Sequence, residues 1–190
     1  MFEKLADLSG YAVGIDRDPR MAHHVSQRMR KLIGSTPSNV ELVVADGEHL
    51  PFREAVFDAV VCIRVLRYFE EPKRAIQGMC EVLKSGGCLV AEFANVLRPH
   101  TILEVPRYLA KGEFYPRLFS RKQVTEWIAN QGFEVQQLVG WHKIPVELLS
   151  TTNNSVALRI LLGFEKALQK LSPPEFMSRS LFFSALKTES

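Results

Sequence analysis

Short, nearly continuous apolar runs alternate along this chain with segments whose apolar residues recur every three or four positions. Tyr11–Ile15 (YAVGI) is the first run and stops at Asp16. Asp18 then reads as a helix N-cap with Pro19 at the first helical position. Met21, Val25, Met29 and Ile33 follow at four-residue spacing, which predicts a helix with one buried stripe. Val40–Ala45 (VELVVA) is the next run and ends at Asp46, and Phe57–Ile63 (FDAVVCI) is another. Glu71-Pro72 opens a helix predicted to reach about Leu83, with Lys84 and Gly86-Gly87 as its stop signal. Cys88–Phe93 (CLVAEF) is a fourth strand. Strands that are apolar throughout and alternate with helices imply parallel pairing in an α/β sheet with helices on both faces.

The pattern changes after Leu97. The stretch Leu97–Phe119 is rich in proline and aromatic residues. Ser120 and Gln123 then form a capping box for a helix through about Asn130, stopped by Gly132. Phe133–Trp141 (FEVQQLVGW) reads as a strand, Ser155–Leu171 as a strongly apolar helix closed by Pro173-Pro174, and Arg179–Leu186 as a last strand. The helix over Val156–Leu171 is apolar enough to be buried, to pair with another subunit or to touch a membrane surface, and burial in the domain is the default expectation. No internal repeat or low-complexity linker divides the 190 residues, so a single domain over 1–190 is the expectation.

Composition narrows the class without naming the chemistry. At 46% hydrophobic and 24% charged residues the chain can build a core and is not a disordered one. A net charge of +3 is too weak to imply nucleic acid as a partner. No apolar stretch is long enough for a transmembrane helix, and no signal-peptide pattern opens the chain. Cys62, Cys80 and Cys88 are odd in number and lack zinc spacing, and read as reduced core thiols of a cytoplasmic protein.

In an open α/β sheet, ligands bind beyond the carboxyl ends of the strands. Asp16 stands there after the first run, where a carboxylate can accept from both hydroxyls of a ribose; a plain turn residue is the other reading. Asp46 stands there after the second, inside Ala-Asp-Gly-Glu-His-Leu-Pro-Phe (45–52), where it can accept from an exocyclic amine. Gly47 beside it lets a flat ring approach the backbone. The histidines carry no metal signature, since the adjacent His23 and His24 point about 100° apart on a helix.

Four segments in order, Val13-Gly-Ile-Asp16, Asp46-Gly-Glu-His-Leu-Pro-Phe52, Phe57-Asp-Ala-Val-Val-Cys-Ile63 and Val82-Leu-Lys-Ser-Gly-Gly-Cys-Leu-Val90, resemble the class I S-adenosylmethionine-dependent methyltransferases. The branch is the small-molecule one that includes ubiquinone and menaquinone methyltransferases, and the resemblance runs over roughly residues 2–141. It implies a Rossmann-like, mostly parallel sheet with one antiparallel strand, the Arg179–Leu186 strand, lying between Cys88–Phe93 and an edge strand Phe133–Trp141. It implies S-adenosylmethionine as cofactor and a small-molecule methyl acceptor. Asp16 would hold the ribose hydroxyls, with Arg17 and Met21 on the same side. Asp46 would receive the adenine amine and the Gly47 amide a ring nitrogen. Ile63 and Arg64 would lie near the methionine part. Relatives often read Val-Leu-Glu/His-His-Leu where this chain has Val65–Phe69, so Arg67 and Tyr68 are a departure.

The resemblance also implies a first strand and a Gly-x-Gly-x-Gly loop that meets the methionine carboxylate. Neither stands ahead of Phe2–Gly10, which reads as the helix following that loop. The expectation is a domain truncated at its N-terminus and a compromised methyltransferase. The alternatives are a non-catalytic binding module of the same fold and a nicotinamide dehydrogenase. Residues 97–119 are the expected substrate cover, and Tyr108, Phe114, Tyr115 and Phe119 either line an apolar acceptor pocket or are ordinary core packing, with nothing in the sequence favouring one over the other. Tyr68, His100, Tyr115 and His142 are the candidates for a proton acceptor. The oligomeric state is not encoded in any motif.

Overall fold

The computed structural model describes residues 9–33, 39–98, 110, 117–141, 155–173 and 176–188. The chain divides into two compact units, residues 1–52 and 53–190.

The first unit holds β1 (Ala12–Asp16), α1 (Pro19–Ile33) and β2 (Val40–Val44). β1 and β2 pair in parallel with Asp16 opposite Val44, as the apolar runs predict. Asp18 caps α1: its Oδ1 accepts the Arg20 amide at 2.9 Å. Pro19 loses nothing at the first helical position, where the backbone N–H has no helical partner anyway. The predicted stripe is only partly buried. Met29 is fully covered and Val25 half-covered, while Met21 is 45% exposed. The Ile33 side chain lies outside the described residues.

The second unit begins with β3 (Phe57–Cys62), a single 3₁₀ turn (Leu66–Tyr68), α2 (Pro72–Glu81) and β4 (Leu83–Ala94). It continues with α3 (Arg121–Ala129), β5 (Phe133–Trp141), α4 (Ser155–Leu171) and β6 (Ser180–Lys187). Its sheet has the order β3-β4-β6-β5. β3 and β4 are parallel, and β6 runs antiparallel to both β4 and β5. The expected fold class, a Rossmann-like α/β sheet with one antiparallel strand, is therefore the observed one, down to the place of the last strand.

One boundary differs from the sequence reading. α2 stops at Glu81, and Leu83 already pairs with Phe57, ahead of Gly86-Gly87. The amides of Val56 and Phe57 both donate to the Val82 carbonyl at 3.0 Å, so strand pairing claims the residues that could have extended the helix. Residues 84–87 then bulge from the ladder opposite the single residue Asp58, since Ala59 next pairs with Cys88. Gly86 supplies the left-handed φ of 72° that this bulge needs.

The core of this unit sits on one face of the sheet. Leu89, Ala91 and Phe93 of β4 and Leu181, Phe183 and Ala185 of β6 are at most 3% exposed. α2 covers that face. Lys187, which shares it with Ala185, donates from Nζ to the carbonyls of Leu83 at 2.8 Å and Cys80 at 3.3 Å, at the carboxyl end of the helix. α3 starts at Ser120, whose Oγ accepts the Gln123 amide at 3.1 Å as the capping box predicts. It buries Val124 and Ile128. The expected burial of α4 is not what its described side chains show: Ile160 is 67%, Phe164 59% and Leu171 85% exposed. Apolar residues there are spread around the helix, so no single face can hide them all. Cys62 and Cys80 are buried thiols as expected, whereas Cys88 is half-buried.

Candidate functional site

In the first unit the parallel register brings two carboxylates to one end of one sheet. Asp16 closes β1, and the Ala45 amide donates to the Asp16 carbonyl at 3.1 Å, carrying the pairing one step past β2. Asp46 follows immediately. Both side chains are exposed. Asp16 Oδ1 accepts the Asp18 amide at 2.9 Å, which shapes the turn into α1. Its Oδ2 has no hydrogen bond among the described residues. The sequence allowed a ligand-binding role or a turn role for Asp16, and one oxygen plays the second while leaving the other open.

Asp46 Oδ1 accepts the Glu48 amide at 2.9 Å, and the His49 amide donates to the Asp46 carbonyl at 3.0 Å. Residues 46–49 therefore form a tight turn with Gly47 inside it. His49 Nδ1 stands 3.6 Å from Asp46 Oδ2. The Asp46 carboxyl is held below the ordinary carboxylate range. The Glu48 amide is the main cause, burial opposes it slightly, and the His49 side chain and the charge of Arg17 add to the lowering. Arg17 and Met21 are both exposed. An ionised carboxylate has about four acceptor positions, so Asp46 can still take an amine hydrogen.

In the second unit Ile63 is half-buried and Arg64 exposed, just past the carboxyl end of β3. Arg64 has φ 64°, in the left-handed region that a non-glycine residue adopts at a cost. The turn there carries Arg67, whose Nη2 lies 3.3 Å from Glu92 Oε1 of β4. The two side chains are 13% and 4% exposed. Among the described residues Glu92 Oε2 is buried with no hydrogen-bond partner. Burial pushes the Cys62 thiol up to about 12; the Leu66 amide works against that and the Glu92 charge adds to it. Asn95, fully buried past the end of β4, donates from Nδ2 to the Ser178 carbonyl at 2.8 Å. Sequence reasoning missed Arg67–Glu92 and Asn95. The visible signal was Glu92 itself, a charged residue inside the apolar run Cys88–Phe93.

Tyr68 is exposed, and Phe119 is a core residue packed edge-on to Trp127 at 5.8 Å. His100, Tyr108, Phe114, Tyr115 and His142 lie outside the described residues. Among the described residues no cluster of His, Cys, Asp and Glu has the shape of a metal site.

The comparisons bear on the family and the fold. A family model described as a methyltransferase domain matches residues 1–91. The ubiquinone/menaquinone biosynthesis C-methyltransferase of Wigglesworthia glossinidia brevipalpis is 32% identical over 95 residues, covering 50% of this chain and 37% of that protein. The curated relatives first matched are spanned over only about a third of their length. A magnesium protoporphyrin IX methyltransferase from Synechocystis PCC 6803, solved with bound SAH, superposes with a TM-score of 0.66 at 15% identity, over 97% of this chain and 68% of that one. A SAM-dependent methyltransferase from Thermotoga maritima gives 0.63 at 18% identity, over 96% and 75%. The family resemblance is thus shown over residues 1–91, and the fold is that of the SAM-dependent methyltransferases.

Proposed function

We propose that this protein binds S-adenosylmethionine and takes part in methyl transfer to a small molecule. The observation that carries the reading is the paired carboxylates, Asp16 and Asp46, at the carboxyl end of β1 and β2. Asp16 Oδ2 is an open acceptor for a ribose hydroxyl, and Asp46 an acceptor for an exocyclic amine. Gly47 offers its backbone to the ring, and Arg17 and Met21 flank the nucleoside. Ile63 and Arg64 are assigned to the methionine part by the same family pattern. The cofactor supplies a methyl group on a sulfonium, and the protein's share is orientation and exclusion of water. The name of the Wigglesworthia relative supports a small-molecule acceptor. A cytoplasmic setting suits three unpaired cysteines. No helix among the described residues is long and apolar enough to cross a membrane.

Titration calorimetry with S-adenosylhomocysteine tests the reading. Asp16→Ala is expected to weaken binding by about 1.5–3 kcal/mol, the range for hydrogen bonds to a charged group. Asp46→Ala is expected to cost less, because one amine contact is lost and not two hydroxyl contacts. Equal affinity for wild type and Asp16→Ala would remove the ribose assignment.

A further inference from the structure

Helix α4 leaves open what the other helices of its unit hide. α2 buries Ile76 and Met79, and α3 buries Val124 and Ile128, whereas Ile160, Phe164 and Leu171 of α4 each stay more than half exposed. At about 100° per residue these three fall within about 60° of one another around the helix, with Ala167 between them. They form a row about 17 Å long at a rise of about 1.5 Å per residue. Single exposed apolar residues are ordinary on a protein surface, but a contiguous row of them marks a contact face.

The charges of α4 are sorted as well. Arg159, Lys166 and Lys170 are exposed. They fall within about 40° of one another, and their row lies about 110° around the helix from the apolar one. Glu165 is the one carboxylate between Ser155 and Leu171. It is 6% exposed and accepts a hydrogen bond from Gln169 Nε2 at 2.8 Å. The covered side of the helix therefore takes the negative charge, and the open side is apolar and positive. Gly163 lies between the two rows, and a Cβ there would meet nothing within 4 Å.

We propose that α4 docks on an anionic phospholipid bilayer, with Ile160, Phe164 and Leu171 in the acyl boundary and Arg159, Lys166 and Lys170 on the lipid phosphates. A helix lying in the membrane interface sinks its apolar row, and its flanks then stand at headgroup level, where long basic side chains extend their charges to the phosphates. α4 lies on the bilayer and does not span it, since no helix among the described residues is long and apolar enough to cross a membrane. A second copy of this chain is the weaker occupant. A two-fold pair across the apolar row would bring two basic rows together, with no exposed carboxylate of the helix to face them, and like charges at that range repel. The docking does not depend on the methyl-transfer reading.

The test is flotation of the full 190-residue chain with two kinds of vesicle, without any cofactor. One is phosphatidylcholine alone, and the other is phosphatidylcholine and phosphatidylglycerol in equal parts. Binding to the anionic vesicles is expected to be at least tenfold tighter, since each basic residue near such a surface contributes about fivefold. Added salt should shrink the preference. Arg159→Gln/Lys166→Gln/Lys170→Gln should lose the preference for anionic vesicles. Phe164→Ser/Leu171→Ser should bind those vesicles at least tenfold more weakly than wild type. All five positions are exposed, so both variants should keep the wild-type denaturation midpoint read by Trp127 and Trp141 fluorescence. Wild-type protein that ignores anionic vesicles or binds both kinds equally, or folded variants that bind as wild type does, would overturn the proposal. A wild-type dimer in size-exclusion chromatography that Phe164→Ser/Leu171→Ser dissolves, with no vesicle binding, would overturn it too and give the face to a second copy.

Discussion

The two units differ in what their residues are used for. In residues 1–52 the sheet has two strands, and Met29 alone among the described side chains is fully covered. The groups suited to binding, Asp16, Arg17, Met21 and Asp46, are all exposed there. In residues 53–190 a four-stranded sheet buries Leu89, Phe93, Leu181 and Ala185 to within 1% of complete cover. A two-stranded ribbon is marginal by itself, whereas several strands under helices are not. The second unit is therefore where the stability resides, and the first is where a nucleoside would be recognised.

The largest effect expected from this contrast comes from truncating the core. Phe93→Ala should cost about 3–5 kcal/mol, and Val43→Ala in half-buried β2 about 1 kcal/mol or less. Both tryptophans, Trp127 and Trp141, lie in the second unit. Denaturation followed by their fluorescence reads that unit directly. Comparable shifts for the two variants would break the contrast. Gly87→Ala should follow at about 1–3 kcal/mol, since its Cβ would stand 2.8 Å from the Lys84 carbonyl oxygen. The same fluorescence transition measures it, and an unchanged midpoint would mean that the 84–87 bulge yields freely.

How far the sequence could see tracks the same contrast. α1 and α3 carry their own start signals, Asp18-Pro19 and Ser120-x-x-Gln123, and both helices begin where those signals lie. β5 matches its predicted bounds because Gly132, with φ 73°, marks the turn into it. The strand order of the second unit was legible through family resemblance; nothing local in Arg179–Leu186 encodes an antiparallel neighbour. The end of α2 was not legible, because Gly86-Gly87 signals a stop equally well for a helix and for a bulge, and pairing with Phe57 decides between them. Asp16 and Asp46 were legible as strand-end carboxylates. Arg67–Glu92 was not: its partners are 25 residues apart and meet only through the β3–β4 register.

Lys187 sharpens the comparison by separating its charge from its bulk. Its ammonium donates to two carbonyls at the carboxyl end of α2, where a cation is favoured, and lies 5.9 Å from the centre of the Phe133 ring. Lys187→Met keeps the apolar stem and should cost about 1–2 kcal/mol in the fluorescence transition. Lys187→Arg should recover part of that. No loss in the methionine variant would show that the stem, not the charge, holds β6 to the helix.

The smallest effect should appear in the first unit and depend on pH. The Asp46 carboxyl is lowered from its ordinary value of 3.8, chiefly by the Glu48 amide. A carboxylate that ionises more readily folded than unfolded adds stability above about pH 4 and loses it as pH falls through the lowered value. Asp46→Asn should therefore reduce protection of the Ala45 amide, which bridges β1 and β2, at pH 6. The difference from wild type should close as pH falls through that lowered value. Hydrogen exchange followed by NMR measures it residue by residue, and the tryptophan transition of the second unit should stay unchanged. A difference that widens toward acid would mean that the Asp46 turn favours the protonated carboxyl. It would then be unsuited to receiving an amine hydrogen.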